Sequence, residues 1–342
     1  MSLNWNGVQV IDCQHECTPP RTAIPAGMDW TREDVDDSWK IDLKGDCYQE
    51  LRTASEELSR QADIDLTGGF PEPQLPDWPN VSRTAKSLKT CLDGVPGFGV
   101  LRGLPIDEFA DGILQKLYYL IGSEISRPVA QKWNGQMIYD VRDFGQSYQY
   151  GVRGSHTSVE LVFHTDNAFG ISVPDYVGLL CVQPAKSGGV SRFCSLYTLH
   201  KRLLERSEKA LNRLYQPMLF DRQKEHAPDA PAVTLAPFFS WRDDRLQARA
   251  NTSLVRKGYE VAGIEPDQEL VDALGIADEI CSDEEPWYEA PLSRGDIQYL
   301  NNHEVGHYRS AFEDFEEPER KRHLYRLWHR DTGTPGYDGL ET

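Results

Sequence analysis

Leu161-Val162-Phe163-His164-Thr165-Asp166-Asn167-Ala168-Phe169-Gly170 sets an imidazole and a carboxylate two residues apart, directly after an apolar run. In an extended strand, side chains i and i+2 leave from the same face, so His164 and Asp166 can bind one metal ion together. Imidazole plus carboxylate suits iron(II), above all where a second histidine completes a facial triad and leaves positions open. The pair alone is a weak signal. Nine histidines stand among 342 residues, enough for roughly one chance His-x-Asp. A second is indeed present, at His329-Arg330-Asp331. Context must separate the two.

The surrounding pattern is helices first, then short strands with a helical insertion. Residues 1–36 read as irregular. Apolar residues from Trp39 to Leu58 recur at helical spacing and predict a helix from Trp39 to about Ala62. Prolines make 69–79 a loop, and Val81 to Leu92 is a second helix. A short strand lies between Gly97 and Gly103, and Asp107 is placed to cap a helix running to about Ile121. Strands are expected at Gln136–Val141, Tyr176–Val182 and Val190–Cys194, with a turn at Ser187-Gly188-Gly189. Tyr197 to about Met218 reads as helical with a break near Ser207, followed by weak strands at Thr234–Trp241 and Leu246–Ala250. Glu265 to about Cys281 is a helix, and strands at Trp287–Ala290, Asp296–Asn301 and His323–Trp328 close the chain. That order suggests one α+β domain built on an antiparallel sandwich or jelly roll.

Composition bounds the partners. The formal net charge of −18 argues against nucleic acid or an anionic membrane as the main partner. No apolar run approaches a membrane span, and the N-terminus lacks the basic and apolar regions of a signal peptide. Seven scattered cysteines fit a reduced, cytoplasmic protein. Cys13-x-His15-x-Cys17 has no second ligand pair at finger-like spacing, so structural zinc is not expected there.

Three further stretches bear on chemistry. Gly295-Asp296 followed by Ile297 to Asn301 reads as a turn entering a strand, with His307 beyond its end as a possible third ligand. A lone histidine after a strand is more often a hydrogen-bonded structural group. His303-Glu304-Val305-Gly306-His307 also spells H-E-x-x-H, which in zinc hydrolases needs a helix. Asn301, Asn302 and Gly306 are poor helix formers, and the extended pattern fails at Ser310 and Glu313. In the closing strand, Arg322 and Arg326 share a face with Leu324. An arginine among apolar strand residues needs an anion, either a nearby acid or a ligand carboxylate.

Together these residues resemble the taurine/2,4-D dioxygenase-like (TauD/TfdA, clavaminate synthase-like) branch of the Fe(II)/2-oxoglutarate-dependent oxygenases. The resemblance runs from about Phe98 to Asp331, through Leu101 to Pro105, Phe163 to Asn167, Ala185 to Ser191, Gly295 to Asn302, His307 to Phe312 and Arg322 to Trp328. It implies a double-stranded β-helix (jelly roll) with flanking helices, a mostly helical part at 1–95, a core at 96–331 and an insertion at about 197–281, all in one oxygenase domain. It implies His164, Asp166 and His307 as iron ligands. It places Arg322 on the distal carboxylate of 2-oxoglutarate with Ser191 assisting, and Arg326 near cosubstrate or substrate.

The expectation is an Fe(II)- and 2-oxoglutarate-dependent dioxygenase. It would consume O2, release succinate and CO2, and oxidise, by default hydroxylate, a C–H bond of a small polar substrate such as an amino acid or other carboxylate. Glu160, four residues before His164, is a candidate to meet a substrate amine, set against a solvated or arginine-paired carboxylate. The expected partner is a small molecule, with neither nucleic acid nor membrane and with a homo-oligomer open. A zinc hydrolase at His303/His307 and a non-catalytic jelly-roll binding protein are the rival classes.

Overall fold

The computed structural model describes residues 2–14, 21, 23–60, 64–68, 71–145 and 156–340. Two sheets face each other. The larger has the strand order Lys40–Asp42, Phe98–Arg102, Ile297–Asn301, Tyr176–Gln183, His323–His329 and Pro128–Val129, with Tyr139–Val141 also on His323–His329. Its pairings are antiparallel except the first, where Lys40–Asp42 runs parallel to Phe98–Arg102. The smaller, fully antiparallel sheet is ordered Tyr288–Ala290, Ser191–Ser195, Val305–Arg309 and Leu161–His164. This is the expected jelly roll. Its two faces meet through Phe98 and Phe193, whose rings stack at 4.3 Å.

Helices cover the back of the large sheet. Pro79–Asp93 begins with proline in its first turn and buries Val81, Ala85, Leu88 and Leu92, one stripe at helical spacing. Asp46–Arg60 buries Cys47, Leu51, Ala54 and Leu58 in the same way. Both stripes join one core with Val100, Leu180 and Tyr299 of the sheet. Burial of a leucine such as Leu180 contributes about 2–3 kcal/mol.

The segment between Ser191–Ser195 and Tyr288–Ala290 builds a second core of its own. It holds helices Leu196–Arg206 and Glu208–Leu214, split at Ser207 as predicted, and later Thr252–Ala262 and Gln268–Ser282. Met218–Asp221 and Val233–Ala236 form a four-stranded sheet with Ser2–Trp5 and Val8–Asp12. The chain start is thus tied to the insertion.

Several expectations are corrected. Residues 1–36 are not wholly irregular, because Ser2–Trp5 and Val8–Asp12 form a hairpin. The helix predicted from Trp39 starts at Asp46; Gly45, at φ +60, ends the extended run before it. Trp39 instead closes a 3-10 turn and packs edge-on against Tyr288. Asp107 caps nothing: it lies in the 3-10 turn Ile106–Glu108, and the following helix, Asp111–Ser123, begins after Ala110. Thr252–Ala262 was not expected as a helix. Its cap is Asn251, whose Oδ1 accepts from Leu254 N at 3.0 Å. His15 and Cys17 of the Cys-x-His-x-Cys motif lie outside the described residues. No described helix is long and apolar enough to cross a membrane.

Candidate metal centre and active site

Leu161–His164 ends at the first histidine and the chain then turns, carrying Asp166 back towards the sheet. Asn302 fixes that turn. Its Oδ1 accepts from Asp166 N at 2.8 Å, and its Nδ2 donates to the carbonyls of Asp166 at 3.0 Å and Pro174 at 3.1 Å. Thr165 is held to Ala250 of the insertion by two further bonds.

His307 lies beyond the end of the Ile297–Asn301 strand, as the sequence suggested. It sits in the middle of its own strand, Val305–Arg309, directly opposite His164. The two imidazoles lie 4.2 Å apart between ring centroids. Asp166 Oδ1 is 3.6 Å from His164 Nε2 and 3.5 Å from His307 Nε2, and all three ligand atoms fall within 4.8 Å of one another. Neighbouring ligands of an octahedral ion with bonds of about 2.1 Å stand about 3 Å apart, so this donor set fits one ion. His164 Nδ1 lies 2.8 Å from the Val162 carbonyl. A carbonyl only accepts, so Nδ1 donates and Nε2 keeps its lone pair for a metal.

Asp166 is buried. Burial opposes its charge, yet the Arg326 guanidinium and the two histidines outweigh burial and hold the carboxyl well below the usual carboxylate range. Oδ2 accepts from Arg326 Nη1 at 2.9 Å and from Trp328 Nε1 at 2.8 Å. Oδ1 is left facing the histidines.

These groups open on a cavity of about 640 Å³ whose walls include Glu160, Ser191, Gln298, Arg309, Arg322 and Arg326. Every site residue read from the sequence therefore lines one space. A second groove, of about 680 Å³, lies over Trp39, Arg102 and Arg294 and includes none of the triad. Arg322 is 5% exposed and its Nη1 has no partner among the described residues. Burial draws its guanidinium down to about 10. Two roles shift. Arg326 gives Nε to Gln131 and Nη1 to Asp166, leaving Nη2 for a ligand. Glu160 is exposed and accepts a hydrogen bond from Tyr308 Oη, so it stands at the rim.

The H-E-x-x-H reading fails on geometry. Val305–Arg309 is a strand, so His303 and His307 do not converge. His303 Nε2 pairs with Asp175 at 2.9 Å, and Glu304 takes both Arg245 and the Tyr197 hydroxyl.

Sequence reasoning missed Arg309, Trp328, Asn302 and Gln298. The first two were legible by alternation. Arg309 is two residues from His307 and Trp328 two from Arg326, each on the same face.

A jelly roll with two histidines and a carboxylate converging at the mouth of its cavity defines the facial-triad class of mononuclear metal oxygenase. The chain belongs to the taurine catabolism dioxygenase TauD, TfdA family, whose profile matches residues 63–328. It is an Fe(II)- and 2-oxoglutarate-dependent dioxygenase. Among its relatives, FR-33289 synthase of Streptomyces rubellomurinus is 27% identical over 87% of this chain and 88% of that protein. The taurine hydroxylase-like protein SAT17 of Stachybotrys chartarum is 26% identical, covering 80% and 71%. Asparagine oxygenase, solved with Fe(II), 3-hydroxyasparagine and succinate, matches in structure with a TM-score of 0.63 at 18% identity, over 87% of this chain and 98% of that one. The non-heme iron oxygenase OrfP, solved with Fe, succinate and (3S)-hydroxy-L-Arg, gives 0.60 at 16%, covering 85% and 94%.

Proposed function

We propose that this chain works as a single oxygenase unit that hydroxylates a small, amino-acid-like substrate at a site held by His164, Asp166 and His307. The observation that carries the reading is the convergence of those three donors on a cavity whose walls also hold buried, incompletely partnered arginines. The iron, when bound with 2-oxoglutarate and O2, supplies the oxidant for C–H cleavage, with succinate and CO2 released. The residues do the rest. Arg326 and Trp328 orient Asp166, and Arg322 with Ser191 anchors the far end of the cosubstrate. Apolar walls at Val177, Leu179 and Phe169 limit water.

The substrate class rests on two supports. The cavity wall carries the Glu160 carboxylate at its rim and the Arg326 guanidinium, whose Nη2 has no hydrogen-bond partner among the described residues, which suits a zwitterion. Asparagine oxygenase and OrfP were solved with hydroxylated amino acids. The test is anaerobic reconstitution with Fe(II) and 2-oxoglutarate, followed by a library of amino acids and their derivatives. A weak visible charge-transfer band should form and be perturbed by the substrate, and aerobic succinate release should match substrate loss. A protein that retains zinc and gives no 2-oxoglutarate response would falsify this reading.

A further inference from the structure

Arg322 shares the cavity wall with a second buried arginine, Arg309. Arg309 is 6% exposed, and its Nε and Nη1 have no hydrogen-bond partner among the described residues. Only Nη2 is used, donating to the carbonyls of Thr157 at 2.9 Å and of Val159. Neither arginine forms an ion pair with a described carboxylate. Asp314 accepts the Arg322 backbone N–H on Oδ1 at 2.7 Å, and its buried Oδ2 bonds to neither guanidinium. Two desolvated guanidiniums side by side repel each other, and burying either without an anion is costly. A ligand carboxylate resolves both problems.

The register brings Arg309 beside Ser191. Arg309 stands directly opposite Ser191 across the antiparallel pair, so the two side chains leave the same face about 5 Å apart. Arg322, just before the His323–His329 strand of the other sheet, approaches the same aromatic ring as Arg309. Both guanidiniums lie over the Phe312 ring, 4.9 Å and 5.1 Å from its centroid, so their central carbons are at most 10.0 Å apart. Arg309 is two residues from His307, about 7 Å along the strand. A five-carbon diacid held by its 2-oxo acid end at the metal ligands would extend its other end towards Ser191 and Arg309.

We propose that Arg309 is a second guanidinium for the far carboxylate of 2-oxoglutarate, completing with Arg322 and Ser191 a three-point cradle. The assignment rests on the proposed oxygenase site. It makes Arg309 a selector of dicarboxylate over monocarboxylate 2-oxo acids, and not only the clamp on Thr157 and Val159.

The test is an anaerobic titration of the Fe(II)-loaded protein that reads the charge-transfer band. Wild type, Arg309→Lys and Arg309→Gln are each titrated with 2-oxoglutarate and with pyruvate, which lacks the far carboxylate. Loss of a charge-assisted hydrogen bond should raise half-saturation for 2-oxoglutarate about 10- to 100-fold in Arg309→Gln. Arg309→Lys, which keeps charge but not the fork, should raise it about fivefold. Pyruvate half-saturation and iron content should stay at wild-type values. If Arg309→Gln does not fold, Arg309→Lys decides. Equal weakening of both 2-oxo acids, or movement of neither, would overturn the assignment and leave Arg309 a structural clamp. A wild type that shows no 2-oxoglutarate band would overturn the proposed function and this inference together.

Discussion

Arg326 and Asp166 form a buried pair, Nη1 to Oδ2 at 2.9 Å, that decides which carboxylate oxygen meets the histidines. Trp328 Nε1 adds a second donor to the same oxygen at 2.8 Å. Groups that orient a metal ligand typically govern metal affinity by 10- to 100-fold. Arg326→Met should therefore weaken iron binding by about 10- to 100-fold, measured by chelator competition. Trp328→Phe removes one hydrogen bond and should cost about 1 kcal/mol, roughly fivefold. Wild-type iron affinity in Arg326→Met would mean that the arginine serves the substrate alone.

The second prediction concerns His303 and Glu304. Glu304 is 3% exposed and binds Arg245, the Tyr197 hydroxyl and Asn301. Glu304→Gln should lower unfolding free energy by about 2–3 kcal/mol, less than a fully buried pair because Arg245 is partly exposed. Denaturant titration measures that loss. Iron stoichiometry should remain that of wild type, as it should in His303→Ala, whose imidazole contacts Asp175 instead. Iron lost from His303→Ala but kept in His164→Ala would reverse the ligand assignment.

What the sequence revealed, and what it hid, follows from the range over which each signal acts. That His164, Asp166, His307 and Arg322 share one cavity was legible through the family resemblance, whose motifs fix residue type and order. The Ser2–Asp12 hairpin was legible too. Asn6-Gly7, at φ +50 and +88, is a two-residue turn with both positions left-handed. It was passed over because its strands are short and their partner, Val233–Ala236, lies more than 200 residues away. The strand carrying His307 was hidden by local composition. Asn302, His303 and Glu304 look like the start of a loop, and only pairing on both edges shows that Val305–Arg309 is extended. The role of Arg326 was hidden for another reason: no sequence pattern reports that its first partner is Asp166.

The third prediction is an acid weakness. Burial draws His200 and His329 from about 6.5 down to about 4. Below pH 6.5 the unfolded chain takes up protons that the folded chain refuses. Stability is therefore present at neutral pH and lost as pH falls from 6.5 towards 4, by up to about 1.4 kcal/mol per pH unit for each histidine. Urea unfolding across that window should show the slope, and His200→Gln should make it shallower. An unchanged slope in His200→Gln would place the acid sensitivity elsewhere.

The last prediction returns to Gly188-Gly189, which read as an ordinary turn. Gly189 has φ +65, and a Cβ there would stand 3.1 Å from Arg322 Nε and 3.5 Å from Phe312 Cβ. Two costs follow from Gly189→Ala. The left-handed backbone is strained by about 1–2 kcal/mol, and the added methyl pushes on a guanidinium that packing already confines. The methyl points at Arg322 and not at the iron ligands. Gly189→Ala should thus raise the half-saturation for 2-oxoglutarate about 3- to 10-fold while iron affinity stays at the wild-type value. Titrating each ligand separately under anaerobic conditions distinguishes this from general loosening, which would weaken both. If iron affinity fell and 2-oxoglutarate binding did not, the turn would be supporting the metal centre, and Arg322 would have room to spare.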